Sequence, residues 1–208
     1  MGLSLFEQVV HEHPLHLHRL SADQFERMIA AGVLPEGEPV ELIEGLLIQK
    51  NRADRGGEPM TNGPRHAAAV RRLAELDQTV RSLGFHVRCQ LPIRASERSE
   101  AEPDGAIVRG TLEDFEERHP KPAEVAIVIE VADSSLEYDR ETKRALYARA
   151  GIAWYVIVNL QDRVLEVFAN PDQSSGTYPA PVVVPGTEAI ELPVGTGVVR
   201  LDGRFLIR

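Results

Sequence analysis

The chain is 208 residues long, 43% hydrophobic, and carries a formal net charge of −9. That length suits one well-buried domain, expected over residues 19–208 behind a His-rich extension, 1–18. The charge excludes a binder that grips nucleic acid by bulk electrostatics, and the lone Cys89 excludes an internal disulfide and fits a reducing, cytoplasmic setting.

Residues 1–18 contain His11, His13, His16 and His18. Their spacing is compatible with metal binding, but nothing nearby would orient the rings, so a plain extension is expected. The opening residues lack the basic start and long apolar stretch of a signal peptide, and no apolar run approaches the roughly 20 residues that span a bilayer.

Ser21 and Gln24 have capping-box spacing and open a short helix whose apolar face is Phe25, Met28 and Ile29, with Gly32 as its stop. Val40–Ile48 reads as a strand pair or bent strand turning at Glu44-Gly45. Residues 51–64 have loop composition, with Thr61 or Asn62 available to cap the following helix. That helix is predicted over about Arg65–Leu83, with His66 in its first turn and Gly84 ending it. Phe85–Ile93 alternates strictly and predicts one half-buried strand, Phe85, Val87, Cys89, Leu91 and Ile93 facing inward. Pro103 and Asp104 then lead into a short apolar strand ending at Val108. Residues 110–123 are acidic and flanked by prolines, which suits one or two helical turns with loops.

The centre of the chain is residues 124–159. Val125–Val131 is apolar without alternation, as in a strand covered on both faces, except that Glu130 interrupts it. A lone buried carboxylate costs several kcal/mol as an order of magnitude, so Glu130 needs a metal, a cation or an opening to water. Ser134 and Glu137 have capping-box spacing, and Gly151 supplies a stop, so a helix is predicted between them. Asp139, Lys143 and Tyr147 recur at spacing four and share one face of it. Because the helix follows the strand directly, Lys143 is expected near Glu130. A strand over Ala153–Asn159, a hairpin return to Phe168 and a β-rich remainder complete the sheet.

Glu44, Asp104, Glu130 and Lys143 therefore come from four elements. Carboxylates from adjacent strands suit a hard, oxygen-preferring cation, Mg²⁺ or Mn²⁺, and a neighbouring ammonium would orient a water or meet developing negative charge. The plainer reading is a structural ion pair of Glu130 with Lys143 or Arg144. No CxxC or HExxH zinc set is present, and no GxGxxG, GxxxxGK[ST] or GxSxG motif supports a nucleotide-cofactor or acyl-transfer enzyme.

The stretches VELIEG, EPDGAIV and VIEVADSSLEYDRETKRALYARAGIAWYVIVN resemble the Uma2 family, also filed as DUF820, of restriction-endonuclease-like proteins in the PD-(D/E)xK nuclease superfamily. The resemblance covers about Leu20–Phe168. It implies an α/β fold, a restriction-endonuclease-like mixed sheet flanked by helices. It also implies Mg²⁺- or Mn²⁺-dependent hydrolysis of DNA by in-line attack of water. Asp104, Glu130 and the Val131 carbonyl would hold the metal, Glu44 would assist as an accessory carboxylate, and Lys143 would position the nucleophile. His66, Asp139 and Tyr147 are possible accessory residues. The usual lysine of the E-x-K tripeptide is replaced by Ala132, so Lys143 would be that lysine moved to the helix. Asp133-Ser134 replaces a common serine-proline, and Gly56 and Gly57 lie in a loop that usually carries serine and prolines.

Two functions follow: an endonuclease acting on DNA, with a homodimer expected by analogy, or a non-catalytic module that keeps the nuclease fold for binding or assembly. The net charge favours the module. Arg65, Arg71, Arg72, Arg81 and Arg88 are the candidates for a local DNA-facing stripe.

Overall fold

The computed structural model describes residues 18–35, 37–50 and 63–207. His11, His13, His16, Thr61, Asn62, Gly56 and Gly57 lie outside them. Among the described residues, no helix is long and apolar enough to cross a membrane.

The fold is a mixed α/β arrangement built on a six-stranded sheet in the order β10-β9-β8-β7-β6-β3. Its strands are β3 (Phe85–Arg88), β6 (Gly105–Arg109), β7 (Val125–Ala132), β8 (Trp154–Asn159), β9 (Val164–Ala169) and β10 (Val182–Pro185). Only β7 and β8 pair in parallel, and the helical crossover between them supplies the connection that parallel neighbours need. A four-stranded sheet, β2-β1-β5-β4, packs beside it: β1 (Val40–Ile43), β2 (Leu46–Gln49), β4 (Ile93–Ser96) and β5 (Ser99–Ala101). The hairpin β11 (Ala189–Val194) and β12 (Gly197–Asp202) forms a two-stranded sheet of its own.

Both faces of β7 are covered, as its unbroken apolar run requires. Ile127, Ile129 and Val131 belong to one core with Ala69, Val70 and Leu73 of helix α2 (Pro64–Glu75) and with Leu192 and Leu201 of the β11–β12 hairpin. Val128 and Ala132 belong to the other, with Leu146, Tyr147 and Tyr155. Period-two alternation puts Glu130 on this second face.

Helix α1 (Ala22–Ala30) carries the reciprocal capping box of Ser21 and Gln24. The turn between β1 and β2 is Glu44-Gly45, with φ of 50° and 82°, which is the two-residue hairpin turn that needs left-handed backbone.

Three expectations are corrected. The helix over 65–83 is two helices, α2 and α3 (Asp77–Arg81), with Gly63 rather than a side chain at the first N-cap. Phe85–Ile93 is not one strand: β3 ends at Arg88, Gln90 has φ of 51°, and β4 starts at Ile93 in the other sheet. His86 and Arg88, the supposed outward residues, are buried because Phe115 covers that face of β3.

The helix after β7 begins at Leu136 with Ser135 at its N-cap, one residue later than the Ser134 box predicts. It has three parts: α4 (Leu136–Tyr138), a π-helical segment (Asp139–Lys143) and α5 (Arg144–Ala150). Gly151 ends it in the left-handed conformation, φ 75°.

Candidate active site

The strand β1, the entry to β6, the end of β7 and the π-helical segment converge on one buried charge cluster. Lys143 Nζ donates to Glu41 Oε1 at 2.6 Å and lies 3.3 Å from Glu130 Oε1. All three residues are 4% exposed. The π-turn matters here: the Arg144 N–H bonds to the Asp139 carbonyl five residues back, and both Asp139 and Lys143 end up buried. Such π-helical insertions recur at functional sites.

Each carboxylate is held by specific donors. The Tyr147 hydroxyl donates to Glu130 Oε1 at 2.8 Å, and the Asp104 N–H donates to Glu130 Oε2 at 3.1 Å. Asp104 Oδ2 accepts from the Val131 N–H at 2.8 Å and lies 3.1 Å from His66 Nε2. Asp104 Oδ1 has a weaker partner, the Gln90 amide at 3.5 Å. Glu41 Oε1 also accepts the Glu102 N–H at 2.7 Å.

Electrostatics follow from this crowding. Burial raises Glu130 to about 8 against the pull of Lys143, with Asp104, Asp139 and Glu41 adding to the rise. Burial would strip Lys143 of its proton, but Glu130 and Glu41 outweigh it and hold the ammonium charged. His66 is raised too: burial works against its protonation, and the Asp104 hydrogen bond with the surrounding carboxylates prevails. Tyr147 is pushed well up by burial and then by Glu130.

Of the residues singled out from the sequence, Asp104, Glu130, Lys143, His66 and Tyr147 come together. Asp139 is buried beside them, and the Tyr155 hydroxyl donates to its carbonyl at 3.0 Å. Glu44 does not join: it occupies the exposed turn and pairs with Arg149 at 2.7 Å. Glu41, three residues earlier, is the carboxylate of β1 that meets Lys143. The signal for Glu41 was present, since Ile43 shares its face of β1 and is apolar, so a carboxylate on that covered face needed a partner. The arginine stripe also changes. Arg88 is interior, with its guanidinium over the Phe115 ring, Arg65 and Arg72 cap carbonyls of Leu160 and Leu206, and Arg81 pairs with Asp77.

A restriction-endonuclease-like core is defined by this sheet, with an acidic strand end beside a lysine. The profile of the Uma2 family, described as "Putative restriction endonuclease", matches residues 22–202, and the chain belongs to that family. Among solved structures, the chain is similar to a protein from Anabaena variabilis described as "a putative nuclease belonging to DUF820". The TM-score is 0.60 at 18% identity, over 90% of this chain and 97% of that one. No curated protein matches the chain.

Proposed function

We propose that the chain is a metal-dependent endonuclease acting on DNA. The observation that carries this is the linked arrangement of Asp104, Glu130 and Lys143, which joins two acidic strand ends to one ammonium. The donor set fits a hard cation, because it offers carboxylate oxygens and leaves Asp104 Oδ1 with only a long amide contact. Asp104, Glu130 and the Val131 carbonyl would hold Mg²⁺ or Mn²⁺. Bound there, the ion would polarise a phosphodiester and acidify a water.

The protein's own groups do the positioning. The Val131 N–H and His66 fix Asp104, and the Tyr147 hydroxyl fixes Glu130. Glu41 anchors Lys143 and keeps it charged, so that an ammonium proton can be directed at the attacking water or at the charge building on phosphate oxygens. Because net charge is −9, DNA contact relies on local cations and the bound ion.

The test is plasmid cleavage with Mg²⁺ or Mn²⁺ by the wild type, Asp104→Ala and Lys143→Ala. Cutting by the wild type alone is expected, and equal cutting by all three would remove the assignment. One observation favours the second reading, a non-catalytic module: both Glu130 oxygens already have protein donors, as in a purely structural ion cluster. Calorimetric titration with Mn²⁺ separates the two, since the module gives no heat that Asp104→Ala abolishes.

A further inference from the structure

A second group of ligating side chains meets on the other side of the small sheet. Leu42 is directly opposite Glu100 in the β1–β5 register, so Glu100 projects on the Leu42 face, while Glu41 projects on the opposite face. Phe25 of α1 packs on that Leu42 face, and Glu26 lies on the same helix. His119 comes from the loop before the short turn Pro122–Glu124. Ligand-capable atoms of Glu26, Glu100 and His119 all lie within 4.8 Å of one another, the only such trio of His, Cys, Asp or Glu among the described residues.

Glu100 is the telling member. Its side chain is 3% exposed, and Oε1 lies 3.6 Å from His119 Nε2. Oε2 is buried with no hydrogen-bond partner, and so is His119 Nδ1. A buried carboxylate oxygen left this way carries a large desolvation cost unless a cation or a proton meets it. Two guanidiniums lie close by, Arg94 directly opposite Glu100 in the β4–β5 register, but neither donates a hydrogen bond to Glu100 Oε2. Arg94 pairs with Asp23 and is 3.9 Å from Glu26, and Arg88 lies over Phe115. The backbone holds the three carriers in place: the Ala22 N–H bonds to the Glu97 carbonyl at 2.8 Å, and the Arg94 N–H to the Pro120 carbonyl at 2.9 Å.

We infer that Glu26, Glu100 and His119 form a binding site for one divalent transition-metal ion, of which Zn²⁺ is the fitting example. One imidazole nitrogen and two carboxylate oxygens suit zinc and leave a fourth position for water. The ligands come from a helix, a strand and a loop, so the ion acts as a clip that ties α1 and the 119 loop to the small sheet. The competing occupant is a proton shared between the carboxylates, and burial with Glu26 does push Glu100 up to about 8.

The test uses the full chain and ZnCl₂, reading both Tm and zinc bound per chain after dialysis. Every variant keeps the N-terminal histidines, so only differences between variants count. Zinc is expected to raise the Tm of the wild type and of Asp104→Asn alike. His119→Gln and Glu26→Gln, at side chains 31% and 40% exposed, should fold, lose the rise and bind zinc at least ~10-fold more weakly. No rise in the wild type would mean a shared proton and overturn the site. So would an undiminished rise in either of those two variants, or a rise abolished by Asp104→Asn.

Discussion

The ammonium of Lys143 and the carboxylate of Glu41 meet at 2.6 Å, although 102 residues separate them in sequence. Their side chains are each 5% exposed, so neither charge has water to fall back on. Removing one partner of a buried pair typically costs about 3–5 kcal/mol, and here Glu130 at 3.3 Å remains to Lys143, so the low end of that range applies. Glu41→Ala is therefore expected to lower stability by that order in urea unfolding, and to abolish plasmid cleavage. Glu44→Ala, at an exposed turn, should change stability by no more than about 1 kcal/mol and leave cleavage intact. The reverse ranking would return the accessory role to Glu44.

Tyr147 is fully buried, and its hydroxyl serves Glu130. Tyr147→Phe keeps the ring packed between the sheet and α5 but leaves a buried carboxylate oxygen short of one donor. A loss of about 1–3 kcal/mol is expected in urea unfolding. Tyr155→Phe gives a useful contrast, because that hydroxyl serves only a backbone carbonyl. It should cost less than Tyr147→Phe and leave cleavage closer to wild type.

The hairpin that presents Glu41 depends on Gly45. Its φ is 82°, and a Cβ there would come within 2.5 Å of the Arg19 Cβ and 3.0 Å of the Leu20 carbonyl oxygen. Gly45→Ala combines left-handed strain with a backbone clash, and about 1–3 kcal/mol of destabilisation is expected. Because β1 carries Glu41, the variant should also lose activity more steeply than its fall in Tm alone explains. Circular dichroism melts and cleavage rates measured together decide this.

Acid should release the Arg118–Glu124 pair. The bidentate Arg118 guanidinium, then the Lys121 N–H, hold Glu124 at about 2, below its ordinary 4.5. A depressed carboxyl binds fewer protons folded than unfolded, so its contribution is complete above pH 4.5 and lost as pH falls towards 2. Glu124→Gln should thus lower Tm slightly at neutral pH, and the gap to wild type should close on acidification across that window. The pair is largely exposed, so the gap should shrink in high salt as well.

Several features were legible locally. Glu130 stands out because it breaks an apolar run, and the serine-to-glutamine spacing at 21–24 and the stop at Gly151 are complete within one turn of chain. Asp104 stands at the entry to its strand, as the Pro-Asp-Gly sequence indicates. Periodicity and capping are short-range, and a window of a dozen residues contains all the atoms that decide them.

Other features needed the third dimension. The turn at Glu44-Gly45 was legible, but that Glu41 rather than Glu44 reaches Lys143 depends on which side of β1 packs against the π-helical segment. The alternation over 85–93 looked like one strand because nothing local says that the chain changes sheets at Gln90. The π-turn at Asp139–Lys143 keeps a helical sequence and only redirects it. In each case the deciding energy is the partner found by a buried charge or a covered face, and that partner lies tens of residues away. Residue order alone says which charges need compensation, and packing says by whom, because desolvation is a property of the residue and neutralisation a property of its neighbours.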